Sequence, residues 1–79
     1  MLELYQFEEC PYCKRVRAKL TDLGITYTIH NVSRDREERY DLEKITGQKS
    51  VPVLMDKEKD VMIIDDDQKI IEYLEKQYS

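Results

Sequence analysis

Between Leu2 and Phe7 apolar and polar side chains alternate loosely, with Tyr5 and Phe7 among the apolar ones, and the pattern predicts a short strand. The rhythm then changes. From Pro11 to Leu23 the apolar positions Cys13, Val16, Leu20 and Leu23 are spaced by three, four and three residues, the signature of one helical face. Gly24 follows as a left-handed C-cap. Ile25 to Asn31 is rich in β-branched and aromatic residues and predicts a second strand, beside the first, with the helix as crossover. Asp35 and Glu38 have the spacing of a capping box that opens a polar helix ending at Gly47, with Tyr40, Leu42 and Ile45 as its candidates for burial. Val51 to Met55 and Val61 to Ile64 form a predicted hairpin joined by the charged turn Asp56 to Asp60. Ile70, Ile71, Leu74 and Tyr78 mark a last amphipathic helix behind Asp65-Asp66-Asp67, whose carboxylates suit a helix N-terminus.

The resulting order of strand, helix, strand, helix, hairpin, helix predicts an α/β fold: a four-stranded mixed sheet with helices on both faces. The chain has 79 residues, without repeat or linker, so one domain spanning 1–79 is expected. The longest apolar run is five residues, Val51 to Met55, and Met1 to Tyr5 carries no basic leader, so no membrane span or secretion signal is expected. This points to a cytoplasmic monomer. A net charge of −4 disfavours nucleic acid as partner. Against that balance, Lys14, Arg15, Arg17 and Lys19 crowd one segment, either as a solvated helix face or as a local field on the nearby thiols.

Candidate chemistry centres on Phe7 to Val16, "FEECPYCKRV", which holds both cysteines of the chain. A metal clamp, a structural disulfide and a redox couple are the three options. A structural zinc site takes four ligands, and beyond this pair there is only His30, which reads as a structural residue of the second strand. A lasting disulfide is unusual in the reducing cytoplasm. The redox option has a geometry behind it. Proline is favoured at the first helical position, so Pro11 makes Cys10 the N-cap. There its sulfur faces the free amides of Tyr12 and Cys13 and the positive end of the helix dipole, which favours the thiolate. Cys13 shares the stripe of Val16, Leu20 and Leu23 and should be inward and protonated. Cys10 is thus the expected exposed nucleophile and Cys13 the resolving thiol, with Glu8 and Glu9 opposing the thiolate.

With Cys10-Pro11-Tyr12-Cys13 after the first strand, Ser50-Val51-Pro52-Val53 before the hairpin and an acidic turn opening the last helix, the chain resembles a glutaredoxin of the thioredoxin-like fold over essentially its whole length. The run "SVPVLMD…IIEYL" is also similar to the thioredoxin-like N-terminal domain of glutathione transferases. The resemblance implies that Pro52 is a cis-proline facing the cysteines and that the Val51 backbone pairs with the cysteinyl part of glutathione. It also implies that Lys49 meets a glutathione carboxylate and that Asp66 and Asp67 hold the γ-glutamyl group. Two departures lower the glutathione affinity expected: Ile64 and Asp65 stand where the family carries a glycine pair, and Phe7-Glu8 replace a lysine before the first cysteine.

The implied activity is that of a dithiol thiol-disulfide oxidoreductase acting on protein disulfides or glutathione-type mixed disulfides. It needs no tightly bound cofactor or metal, and glutathione or a similar small thiol serves as co-substrate. The alternatives are a glutaredoxin-like protein reduced by thioredoxin reductase or another low-molecular-weight thiol, a non-enzymatic dimer holding a [2Fe–2S] cluster, and an inert binding module.

Overall fold

The computed structural model describes residues 1–79. Its elements are β1 (Leu2–Gln6), α1 (Pro11–Asp22), β2 (Tyr27–Asn31), a single 3₁₀ turn (Arg36–Glu38), α2 (Tyr40–Thr46), β3 (Val53–Asp56), β4 (Val61–Ile64) and α3 (Asp67–Tyr78). The strands lie in the order β2-β1-β3-β4. β1 runs parallel to β2, while the pairs β1–β3 and β3–β4 are antiparallel, so the mixed sheet and element order expected from the sequence are those observed. None of the helices is long and apolar enough to cross a membrane.

Side-chain alternation along β1 divides the core. Leu2 and Leu4 face one side with Leu54 and Ile63, and there they pack on Val16 and Leu20 of α1 and Ile70 and Leu74 of α3. Tyr5 and Val53 face the other side, where Leu42 of α2, Val51 and both cysteines complete a second cluster. Fully burying each such aliphatic side chain contributes roughly 1.5–3 kcal/mol. β1 therefore carries the chain from the middle of the sheet directly to the cysteines at its carboxyl end.

Four boundaries differ from the sequence pattern, each for a local reason. The second strand starts at Tyr27, because the Gly24 and Ile25 amides are used to satisfy the Thr21 and Leu20 carbonyls at the end of α1, both at 3.0 Å. The single helix expected from Asp35 is broken at Arg39 (φ −88°, ψ 57°), leaving a 3₁₀ turn and a shorter α2. Asp35 does cap this turn, accepting from the Glu37 amide at 3.1 Å, but Ser33 takes the reciprocal half of the capping box, accepting from the Asp35 amide at 3.1 Å. Of the three candidates for burial on this helix only Leu42 is buried; Tyr40 and Ile45 are 68% and 47% exposed. The third strand begins at Val53 rather than Val51, since Pro52 has no N–H to give to a ladder.

The last difference is chemical. Asp56 closes β3 instead of opening the turn, and it is fully buried. The Tyr73 hydroxyl donates to its Oδ2 at 2.8 Å and the Tyr78 hydroxyl donates to the same atom, while Oδ1 has no partner. Burial pushes the Asp56 carboxyl up, but the two phenols, the Lys59 amide and the Lys59 charge together hold it below the usual aspartate value.

Candidate active site

β1 ends at Gln6, and a short turn through Phe7, Glu8 and Glu9 leads into α1, with the Cys10 amide donating to the Phe7 carbonyl at 3.2 Å. Cys10 is the N-cap in an extended conformation (φ −67°, ψ 118°), Pro11 opens the helix, and the Cys10 sulfur accepts from the Cys13 amide at 3.4 Å. The cap position read from Pro11 is therefore occupied as expected. Its exposure is not: Cys10 is only 5% exposed and Cys13 not at all. Cys10 is buried in one cluster with Tyr5, Leu42 and Val51, neighbours that the helical register of α1 does not contain. Tyr12, at 59%, is the exposed side chain of the tetrad.

Burial pushes the Cys13 thiol from the ordinary 9.0 up to about 12, with the hydrogen bond and charge of Cys10 adding to the rise and Arg17 opposing it. Arg17 lies one turn beyond Cys13 and points back over the site. Its guanidinium donates to the Gln6 side chain and to the Glu8 carbonyl at 3.1 Å, and pairs with the Glu8 carboxylate at 3.3 Å. Gln6, fully buried, passes the contact on to Asn31 at 2.6 Å. Glu9 pairs with Arg34 at 3.8 Å. The two acids ahead of Cys10 are thus each balanced by a guanidinium. Of the other cations after Cys13, Arg15 pairs with Asp67 and Lys19 with Glu75 at 2.9 Å, joining α1 to α3.

The Val51–Pro52 peptide is cis, as expected, and both residues are buried, Val51 against the cysteine cluster. The Pro52 carbonyl accepts from the Asp65 amide at 2.9 Å, which ties the loop to the acidic turn. Asp65 holds a left-handed φ of 55° without being glycine. Asp66 is the N-cap of α3, accepting from the Lys69 amide at 3.0 Å, and Asp67 is taken by Arg15. The Lys49 ammonium faces Glu37 at 3.5 Å. Cys10, Cys13, Val51, Pro52 and the acidic turn therefore form one constellation, while the charged groups of Lys49, Asp66 and Asp67 are occupied within the protein. His30 has the structural part expected of it, 2.7 Å from a Glu3 oxygen and stacked on Tyr5.

Residues 4–79 match the family model described as "Glutathione S-transferase, N-terminal domain". The chain is a glutaredoxin-like domain of that thioredoxin-fold family. Among curated relatives, the domain is 32% identical over 54 residues to a glutaredoxin-like 8.6 kDa protein in the rubredoxin operon of Clostridium pasteurianum. That alignment takes in 68% of this chain and 72% of the relative. It is 31% identical over 51 residues to glutaredoxin 3 of Escherichia coli, covering 65% and 61% of the two chains. Among solved structures, a glutathione transferase homologue from Drosophila mojavensis with bound glutathione superposes with a TM-score of 0.83 at 28% identity, over 98% of this chain. The glutaredoxin-like domain spans 35% of the length of that transferase.

The site residue that the sequence pattern missed is Arg39, which is buried at 7% exposure with its guanidinium on backbone carbonyls beside the loop of Val51 and Pro52. No periodic signal marks it, because its partners come from other segments.

Proposed function

We propose that this glutaredoxin-like domain is a cytoplasmic, monomeric dithiol thiol-disulfide oxidoreductase in which Cys10 attacks and Cys13 resolves. The observation that carries this reading is the asymmetry of the pair. The Cys10 sulfur caps α1 and takes the Cys13 amide hydrogen, while Cys13 is fully enclosed and held protonated. The small exposure left to Cys10, against none for Cys13, makes it the sulfur a substrate reaches first.

In the reaction, the Cys10 thiolate forms a bond to one sulfur of a substrate disulfide and the other sulfur leaves as a thiolate. Cys13 then gives up its proton and attacks the Cys10 sulfur, which releases the second substrate thiol and leaves the Cys10–Cys13 disulfide. The substrate gains two electrons and the dithiol loses them. Two molecules of a small thiol reduce the pair again and become its disulfide. The buried state of Cys13 protects the dithiol until Cys10 is engaged, since a mixed disulfide at Cys10 removes the negative charge that helps to keep Cys13 protonated.

Binding of the small thiol is assigned to the edge formed by Lys49, Val51, Pro52, Asp66 and Asp67. Support comes from the cis Val51–Pro52 bond beside the cysteines and from the glutathione bound to the Drosophila mojavensis homologue. A second reading, reduction by another low-molecular-weight thiol or by thioredoxin reductase, is favoured by the prior engagement of Asp66, Asp67 and Lys49 and by the absence of glycine at Asp65.

The test is reduction of a glutathionylated peptide and of a protein disulfide, with glutathione and with thioredoxin reductase as alternative electron sources. Cys13→Ser should keep the first activity and lose the second, and Cys10→Ser should lose both. Turnover surviving in Cys10→Ser refutes the mechanism, and the electron source that works separates the two readings.

A further inference from the structure

Arg39 is a buried cation with no carboxylate paired to it. Removing a charge from water costs several kcal/mol unless its hydrogen-bonding groups are met, and here backbone carbonyls meet them. Its Nε donates to the Ser33 carbonyl at 2.8 Å, one terminal nitrogen to the Lys49 carbonyl at 2.8 Å and the other to the Arg34 carbonyl at 3.4 Å. Its Cζ lies over the Phe7 ring, 5.2 Å from the ring centre, and the Phe7 carbonyl is the acceptor for the Cys10 amide. One side chain thus joins the turn before Cys10, the loop after β2 and the loop before Val51. Within that last loop the Gln48 side chain accepts from the Ser50 amide at 2.6 Å, so both Lys49 and Ser50 have a backbone group held by a side chain just ahead of the cis peptide.

We infer that Arg39 is a positioning residue, whose fork of hydrogen bonds fixes the Lys49–Val51 backbone at the height of the Cys10 sulfur and so sets the affinity for the small-thiol ligand. The inference rests on the thiol-binding edge assigned above. It depends on the planar, divergent donors of a guanidinium rather than on charge, because a lysine ammonium presents its donors from a single point and is unable to span the Ser33 and Lys49 carbonyls together. Arg39 touches neither reacting sulfur. Losing it should therefore change binding and leave the reactivity of Cys10 as it was.

The test uses S-methylglutathione as an unreactive probe, with hydrogen exchange of the Ser50 amide as a readout independent of any ligand. Arg39→Lys should weaken probe binding about tenfold, the equivalent of ~1.4 kcal/mol. It should speed exchange at Ser50 and leave iodoacetamide alkylation of Cys10 within about twofold of the parent. Tyr78→Phe, at the opposite end of the molecule, is the stability control and should leave probe affinity unchanged. Should Arg39→Lys fail to fold, Phe7→Leu keeps the fork but removes the ring beneath it, and about a threefold loss of affinity is expected. Parent-like affinity and Ser50 exchange in Arg39→Lys would overturn the inference, as would an equal loss of affinity in Tyr78→Phe. If the parent protein itself fails to bind the probe, the glutathione reading fails. Ser50 exchange alone then decides the clamp: faster in Arg39→Lys supports it, and unchanged overturns it.

Discussion

Replacing Tyr78 by Phe removes one hydroxyl that donates to the buried Asp56 carboxylate and changes nothing else of size. A hydrogen bond to a charged acceptor contributes about 1.5–3 kcal/mol, and Asp56 already has one unpartnered oxygen, so no spare donor stands ready to take over. A loss of about 2 kcal/mol is therefore expected at pH 7. For a chain of 79 residues that is a large share of a stability of roughly 4–12 kcal/mol, and it lowers Tm by roughly 8–16 °C. The effect carries a pH signature. Asp56 titrates below its usual value in the folded state, so its contribution is complete above the ordinary aspartate value of 3.8 and is lost as the pH falls through the folded one. Urea unfolding of the parent and Tyr78→Phe, followed from pH 7 down to pH 2, should give curves that are furthest apart at neutral pH and converge in acid. Tyr73 donates to the same oxygen, so the double variant should fall short of, or exceed, the sum of the single ones, and additivity within about 0.3 kcal/mol would show that the two bonds are independent. A loss below about 0.5 kcal/mol at pH 7, or a gap that does not narrow in acid, would refute the assignment of Asp56 as an ionised anchor.

Three further outcomes are expected. In Cys10→Ser, where Cys13 is the remaining thiol, burial is still the main influence on it, so its absorbance titration should have a midpoint above 9.0 and below the value of about 12 expected beside Cys10; a midpoint at or under 9.0 contradicts the enclosed site. Asp65→Gly removes a side chain from a left-handed position and should stabilise the domain by about 0.5–1 kcal/mol in urea unfolding, whereas a destabilised variant would mean that the Asp65 side chain has an undetected partner. On the alkaline side Cys13, Tyr73 and Tyr78 all bind their protons more tightly when folded, so stability should be level up to about pH 9 and then decline as the unfolded chain ionises first; a thermal melt series from pH 8 to pH 11 measures this, and constant Tm across it would be inconsistent with these burials.

What could be read from the sequence was what is encoded locally. Pro11 after a strand and the stripe Cys13, Val16, Leu20 gave α1 and its cap because helix starts and faces are written within a few residues. The hairpin was legible from two apolar runs around a charged turn. The features that escaped are settled by distant partners. The buried state of Asp56 depends on tyrosines 17 and 22 residues away, and a carboxylate beside Lys57-Glu58-Lys59 otherwise reads as part of a turn. The break at Arg39 depends on carbonyls of two other loops. The burial of Cys10 comes with a cluster that includes Leu42 and Val51, which only the folded chain brings together. Lys49, Asp66 and Asp67 were named through the family resemblance, and which of their charges are free depends on Glu37, Lys69 and Arg15.

The end of β3 and the turn after it receive both termini of the chain. Glu58 receives the Met1 ammonium at 3.2 Å, and Asp56 receives Tyr78 from the final turn of α3. Both ends of this polypeptide are therefore moored at the one pole, a full strand length away from the sulfurs that β1 delivers to the other. A bead, electrode or fusion partner coupled through either end would leave the cysteine end of the sheet unobstructed.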